Sequence, residues 1–308
     1  MPSRLHLLQL GLLMLLPQLA VAGESLLQKQ ANAAIAMMTF TVTPDITASN
    51  LSINDKSSGK SDLLLSQLGG GATLDDKYPI YLEGNIGFCR YDPSYLIDHE
   101  GSAIEIPTRW NTLSLSGGIG WDFYIYPHWA LRPIVNVSLG TVASDLRIAD
   151  WIFDQYRAND NRFLDNGRLN TAGLGGSLML DYELFSAKQD IDAELRYSYI
   201  HLQSFGSTDG GVTGKADAEN LNIYLRRRAP TGVEFLSRPL RYVLEGARTE
   251  YFGTQRGMLG FDALNSLGVG LEIDSSKYDI LISRTRLVAR YMFGENTSGY
   301  SMGLAVSF

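Results

Sequence analysis

Apolar residues recur at every second position along most of this chain, with small or polar residues between them. Thr108 to Tyr124 shows the pattern cleanly. Leu113, Leu115, Gly117, Ile119, Trp121 and Phe123 fall on one face, against Thr112, Ser114, Ser116, Gly118, Gly120 and Asp122. A period of two puts the two sets on opposite faces of a strand. The same reading predicts strands over Tyr78 to Tyr91, Leu131 to Leu139, Leu169 to Tyr182, Asp190 to Phe205, Ala218 to Arg228, Leu240 to Tyr251, Leu259 to Asp274 and Tyr278 to Phe293. Ser61 to Leu74 is a weaker strand, softened by Gly69-Gly70-Gly71. Strand one is expected where Ala34, Ala36, Met38, Phe40 and Val42 alternate with Thr39, Thr41 and Thr43, followed by a loop from Pro44 to Lys60. Glu24 to Asn32 has helix-forming residues but is too short for a stable isolated helix. With a last strand from Tyr300 to Phe308, the expected total is twelve.

The connections alternate in length. Those after even-numbered strands are mostly short, and those after odd-numbered strands include the longest, Thr141 to Arg168. Short turns on one side and long loops on the other are the asymmetry of a transmembrane β-barrel, and both termini are then expected on the periplasmic, short-turn side. An even, closed set of antiparallel strands leaves no unpaired edge in lipid, where no water is present to satisfy one. The expected fold is an all-β, closed antiparallel transmembrane β-barrel.

The amino end fits export. Met1-Pro2-Ser3-Arg4 carries a positive charge, Leu7 to Leu16 is almost wholly apolar, and Ala20-Val21-Ala22 is a small-x-small cleavage site. This predicts a signal peptide over residues 1–22, cut between Ala22 and Gly23, a short segment over 23–32 and the barrel domain over 33–308. The single cysteine, Cys89, excludes a disulfide scaffold. Tyr at 16 residues and Gly at 31 suit many strands with aromatic girdles. A mean hydropathy of -0.05 is no argument against a membrane, because alternation averages the lipid face away. A net charge of -7 argues against a nucleic-acid partner. The expected location is the outer membrane of a Gram-negative bacterium.

The carboxyl end carries a resemblance. Tyr300, Met302, Leu304, Val306 and Phe308 are apolar, against Ser301, Gly303, Ala305 and Ser307. This resembles the C-terminal signature of bacterial outer-membrane proteins, the segment their barrel-assembly machinery reads. The stretch from Gly120 through Trp121, Tyr124, Tyr126, Pro127, His128 and Trp129 to Pro133 resembles the aromatic, Pro-containing hairpins of autotransporter translocator barrels, which have twelve strands. With little between the signal and strand one, the chain looks like a solitary translocator barrel without its passenger. The resemblance implies a translocation-related, structural or surface role. Its implied partners are outer-membrane lipid and lipopolysaccharide, periplasmic chaperones and the assembly machinery, with a surface partner possible at loop 141–168. It also implies that residues 23–32 sit in the lumen as a plug.

Charged residues fall mainly on the inward parity, among them Asp192, Glu194, Arg196, Glu272, Arg284, Arg286 and Arg290. Two readings stand. In one, Arg284, Arg286 and Arg290 line a wall that attracts anions, as in a small anion-preferring porin. In the other, they belong to an ion-pair network that props a narrow barrel, with Glu272 as a neighbouring partner. Enzymatic chemistry has little support. His99 lies beside Asp98, a pair suited in principle to acid-base work, yet no nucleophile is marked by spacing and no His-x-Ser occurs. A barrel hydrolase is therefore the remotest alternative. No Cys/His cluster suggests zinc, and no cofactor is expected.

Overall fold

The computed structural model describes residues 26–43, 51–55, 61–75, 77–92, 94–99, 102–107, 110–144, 168–206, 213–274, 284–295 and 297–307. Among these residues Gly253–Gln255 forms a 3-10 turn, and one α-helix, α1 (Leu26–Val42), precedes fifteen strands. They are β1 (Leu51–Asp55), β2 (Ser61–Thr73), β3 (Ile80–Asp92), β4 (Ser94–His99), β5 (Ser102–Pro107), β6 (Trp110–Trp121), β7 (Phe123–Tyr126) and β8 (Trp129–Ser144). Then follow β9 (Arg168–Phe185), β10 (Asp190–Ser204), β11 (Lys215–Phe235), β12 (Arg238–Phe252), β13 (Ala263–Asp274), β14 (Arg284–Gly294) and β15 (Thr297–Ser307). Of the twelve segments read as strands from the alternation, the last eleven coincide with long strands of this sheet.

All main-sheet pairings are antiparallel, and most join neighbours along the chain, with β3 pairing across to β6. β6 pairs with β8 over Trp110↔Ser144 to Gly120↔Ile134. β1 pairs both with β2 and, through Ser52↔Tyr300 and Ile53↔Gly299, with β15. β7 adds a flap beside the start of β8. β4 and β5 form a separate hairpin within the expected loop from Asp92 to Pro107. The turns 74–79, 186–189 and 236–237 lie at one end of the sheet. At the other, β10 ends and β11 begins, residues 253–262 connect β12 to β13, and β8 also ends and β9 begins. These are called here the short-turn end and the long-loop end.

The faces are inverted relative to a water-soluble sheet. Ile119 and Val135 are 63% and 61% exposed, and Leu113, Leu139, Leu174, Leu225, Leu267 and Val269 face outward with them. Glu83, Asp122, Arg132, Asp192, Arg196, Glu272 and Arg290 are buried on the inner face. Tyr300 and Met302 point outward, whereas the side chains of Leu304 and Val306, and all of Phe308, lie outside the described residues. So do Ala22, Gly23 and most of loop 141–168.

The expected first strand is the main correction. Residues 34–42 are helical, and β1 falls instead in the stretch read as a loop. The segment does alternate, but it is apolar all round, and nearly every residue from Ala34 to Val42 is buried. A lone strand in the interior would leave its N–H and C=O groups unpaired on both edges, whereas a helix pairs them within itself. The threonines that gave the strand pattern are accommodated by bonding back. Thr39 Oγ1 donates to the Ala36 carbonyl at 2.6 Å and Thr41 Oγ1 to that of Met38 at 2.9 Å. The change also affects the expected placing of both termini on the short-turn side. β15 ends there, opposite Arg284, but α1 begins at the long-loop end and descends. The helix uses the interior, not the wall, so its direction is not fixed by strand alternation.

Candidate functional site

The interior of the sheet is the site, and α1 fills its upper half. The helix starts beside β11, where the Lys215 N–H donates to Asn32 Oδ1 at 2.9 Å. One face packs Ala31, Ile35, Met38 and Val42 against Trp110, Val142, Leu169, Ile200, Leu202 and Ala218. Met37 and Phe40 pack the other side against Leu65, Cys89, Phe261, Leu264 and Met292. Each large apolar side chain so buried contributes roughly 1.5–3 kcal/mol, enough to fix a helix that would be marginal alone. Glycines cut the channel. A Cβ at Gly87 would stand 2.5 Å from Thr41 Cβ, and one at Gly140 would stand 2.6 Å from Met38 Sδ.

The lower end of the helix is held by the wall. Its last carbonyls have no partner within the helix, and side chains from three separate elements supply donors. Gln67 Nε2 donates to the Phe40 carbonyl at 2.6 Å, Asn85 Nδ2 to that of Thr41 at 2.7 Å and Gln255 Nε2 to that of Thr39 at 3.2 Å. Ser114 Oγ donates to Thr41 Oγ1 at 2.8 Å. Residues 253–262 fold inward over this seat: Gln255 and Phe261 are buried, and Tyr251 lies edge-on to Phe40.

Below the helix the filling is ionic. Arg196 of β10 spans the interior to Glu83 of β3, its Nη1 and Nη2 donating to the two carboxylate oxygens at 2.8 and 2.7 Å. Asn136 Nδ2 donates to the same carboxylate at 2.6 Å, and Ser177 Oγ to Asn136 Oδ1 at 2.7 Å. Nearer the short turns, Arg132 is held between Asp122 and Asp181, with its guanidinium 4.0 Å above the Tyr81 ring. On the opposite wall, register aligns Asp192, Arg226, Glu245, Gly268 and Arg290 across β10 to β14. Arg226 Nε donates to Asp192 at 3.0 Å and Arg290 Nη2 to Glu245 at 2.7 Å.

The three arginines singled out in the sequence each face acids. Arg284 lies 3.6 Å from Asp190 and 3.8 Å from Asp274. Arg286 lies 3.7 Å from Glu272 and 3.8 Å from Glu245, while Arg290 shares Glu245. Glu194 pairs in register with Asp181 and Tyr224 on the two neighbouring strands. The histidines are apart from all of this. His201 sits on the outer face with Nδ1 2.6 Å from Asp217, His128 occupies the β7–β8 turn at φ 70°, and the side chains of Asp98 and His99 are outside the described residues. Among the described residues no His, Cys, Asp and Glu group is arranged to hold a metal.

The seat of the helix was missed in the sequence, though a signal for it exists. Leu65, Cys89, Val142, Leu169, Ile200, Leu202, Ala216 and Ala218 are apolar at inward-parity positions near the long-loop ends of their strands. An inner face that turns apolar at one end needs an apolar object against it.

No family model matches this chain, and no curated protein matches it. Among solved structures, it is similar to the β domain of the Bordetella autotransporter BrkA, at 14% identity over 83% of this chain and 92% of that one, with a TM-score of 0.45. It is also similar to the transport unit of AIDA-I from Escherichia coli, at 12% identity over 91% and 98%, TM-score 0.41. A third similar structure is the CymD monoaromatic hydrocarbon channel, at 9% identity over 84% and 75%, TM-score 0.39.

Proposed function

We propose that this protein is an integral outer-membrane β-barrel of autotransporter-translocator type, closed on itself and plugged by its own amino-terminal helix. The observation that carries the reading is the pairing of an apolar outer wall with a polar interior in which α1 is seated. Exposed Leu, Ile and Val on the long strands β2 to β14, and Tyr300 and Met302 on β15, suit hydrocarbon, and buried ion pairs suit a lumen shielded from it. The pairing of β1 with β15 is the seam at which the barrel closes. The short turns face the periplasm and the long loops the cell surface, so the helix enters from the surface side. The role is translocation-related or structural and not enzymatic.

A freely conducting, anion-preferring porin fits less well. The helix occupies the upper lumen, and Arg284, Arg286 and Arg290 each lie within 4 Å of a carboxylate. The test is planar-bilayer conductance of the full mature chain beside one lacking residues 23–43. The expected result is a silent full-length barrel and steady open-channel current on deletion. Equal, steady current from both would overturn the plugged reading. Failure of either chain to insert into lipid would overturn the membrane reading itself.

A further inference from the structure

The helix is held by strands and by a connection, and the two differ in what fixes them. The flanking strands pair in unbroken register, β3 with β6 from Ile80↔Trp121 to Tyr91↔Trp110 and β10 with β11 from Asp190↔Arg228 to Gln203↔Lys215. Moving that wall means breaking a ladder. Residues 253–262 are tied at their base by the Tyr251 N–H, which donates to the Asp262 carbonyl at 2.9 Å. Within the connection the Met258 N–H donates to the Gln255 carbonyl at 3.3 Å and the Gly260 N–H to that of Gly257 at 3.1 Å.

This lightly tied connection nevertheless grips the helix through Gln255, Met258 and Phe261. Gln255 and Phe261 are buried, while Arg256 and Gly257 stay exposed. Gln255 donates to the Thr39 carbonyl and accepts from Asn220 Nδ2 of β11 at 3.5 Å. Phe261 packs in one cluster with Met37 and Phe40, and the Tyr251 ring lies 5.2 Å from that of Phe40 and 5.9 Å from that of Phe261. Met258 packs against the apolar clusters on both sides of the helix. To slide back toward the long-loop end, Phe40 would have to pass those two rings. Gly257 and Gly260, at φ 69° and 81°, each stand directly before an inward residue, Met258 and Phe261. That left-handed conformation is open to glycine and costly for other residues. We infer that residues 253–262 are a strap that locks α1 in the interior, and that the helix is released by opening of the strap and not by loosening of the strand wall. On the plugged reading, on which any effect on current rests, the strap is the gate.

The test strains the strap without touching the helix. A Cβ at Gly257 meets only Asp262 Oδ1, at 3.7 Å. Gly232, in the β11–β12 hairpin, has φ 79° and open space around it, so Gly232→Ala is the matched control. Amide hydrogen exchange and planar-bilayer current are measured on the refolded full mature chain and on both variants. In Gly257→Ala the amides of residues 35–42 should exchange about five- to thirtyfold faster, the factor by which an alanine held left-handed raises the open population. Opening events should appear in its current, and Gly232→Ala should change neither readout. Unchanged helix exchange in Gly257→Ala, or an equal rise in Gly232→Ala, overturns the strap. Should Gly257→Ala fail to fold, Met258→Ala must show the same direction of change, and helix exchange no faster there is equally fatal. The chain lacking residues 23–43 keeps the two ideas apart. If it conducts while Gly257→Ala neither conducts nor exchanges faster, the strap fails and the plug stands. If it is as silent as the full chain, the plugged reading fails, and helix exchange alone decides the strap.

Discussion

At the long-loop end, Ile35, Met38 and Val42 of the helix lie against Val142, Leu169, Ile200 and Leu202, while at the short-turn end Arg228, Arg241 and Arg286 lie among Asp190, Asp192 and Glu272. The same strands supply both linings: β10 carries Ile200 and Leu202 near one end and Asp190, Asp192 and Arg196 toward the other. An interior of fixed width can be filled by an inserted element or by long side chains reaching from the wall. The upper half uses the first solution and the lower half the second. Their energetics differ. Apolar packing gains from every contact and tolerates loss of one. A buried ion pair is near neutral as a whole but costly to break, because one partner's removal strands the other.

That asymmetry sets the order of expected effects. Arg196→Ala leaves Glu83 buried without its bidentate partner and should cost about 3–5 kcal/mol in urea unfolding of the lipid-reconstituted chain. Replacing both residues, Arg196→Met with Glu83→Leu, should cost less than either single change; a double variant as unstable as the sum of the two would contradict the account. Met38→Ala removes a fully buried side chain from the helix and should cost roughly 2–5 kcal/mol in the same assay, with conductance events appearing as the plug loosens. If Met38→Ala proves harmless, the helix is not held by its apolar face. Asn85→Ala removes one of several donors to the helix end and should cost about 1 kcal/mol. Amide exchange of residues 39–42 should rise before global unfolding, and an unchanged rate would mean that the carbonyl contacts do not hold the helix.

The period-two pattern located eleven strands, chose the outward face of most of them, and put most charges inside. That worked because a side chain's parity within a strand is local information. The same rule failed at residues 34–42. Ala34, Ala36, Met38, Phe40 and Val42 satisfy a strand pattern and a helix apolar on all sides equally well, and only the absence of a neighbouring edge inside the sheet decides between them. Arg286 and Glu272 were legible as partners because they face each other across adjacent strands. Arg196 and Glu83 were not. Their strands are separated by three others, β6, β8 and β9, even on the shorter way round, and nothing within either strand says which residue waits across the interior.

The sequence by itself therefore determined the alternation, the inverted faces and the division of the chain into long antiparallel strands, since these follow from neighbours one, two and a few residues apart. The tertiary structure alone decided the helix in the interior, the carbonyl contacts that hold its lower end, and which charges meet. Those depend on how far the sheet curls and which register each strand adopts, and both are set by pairings between residues far apart in the chain.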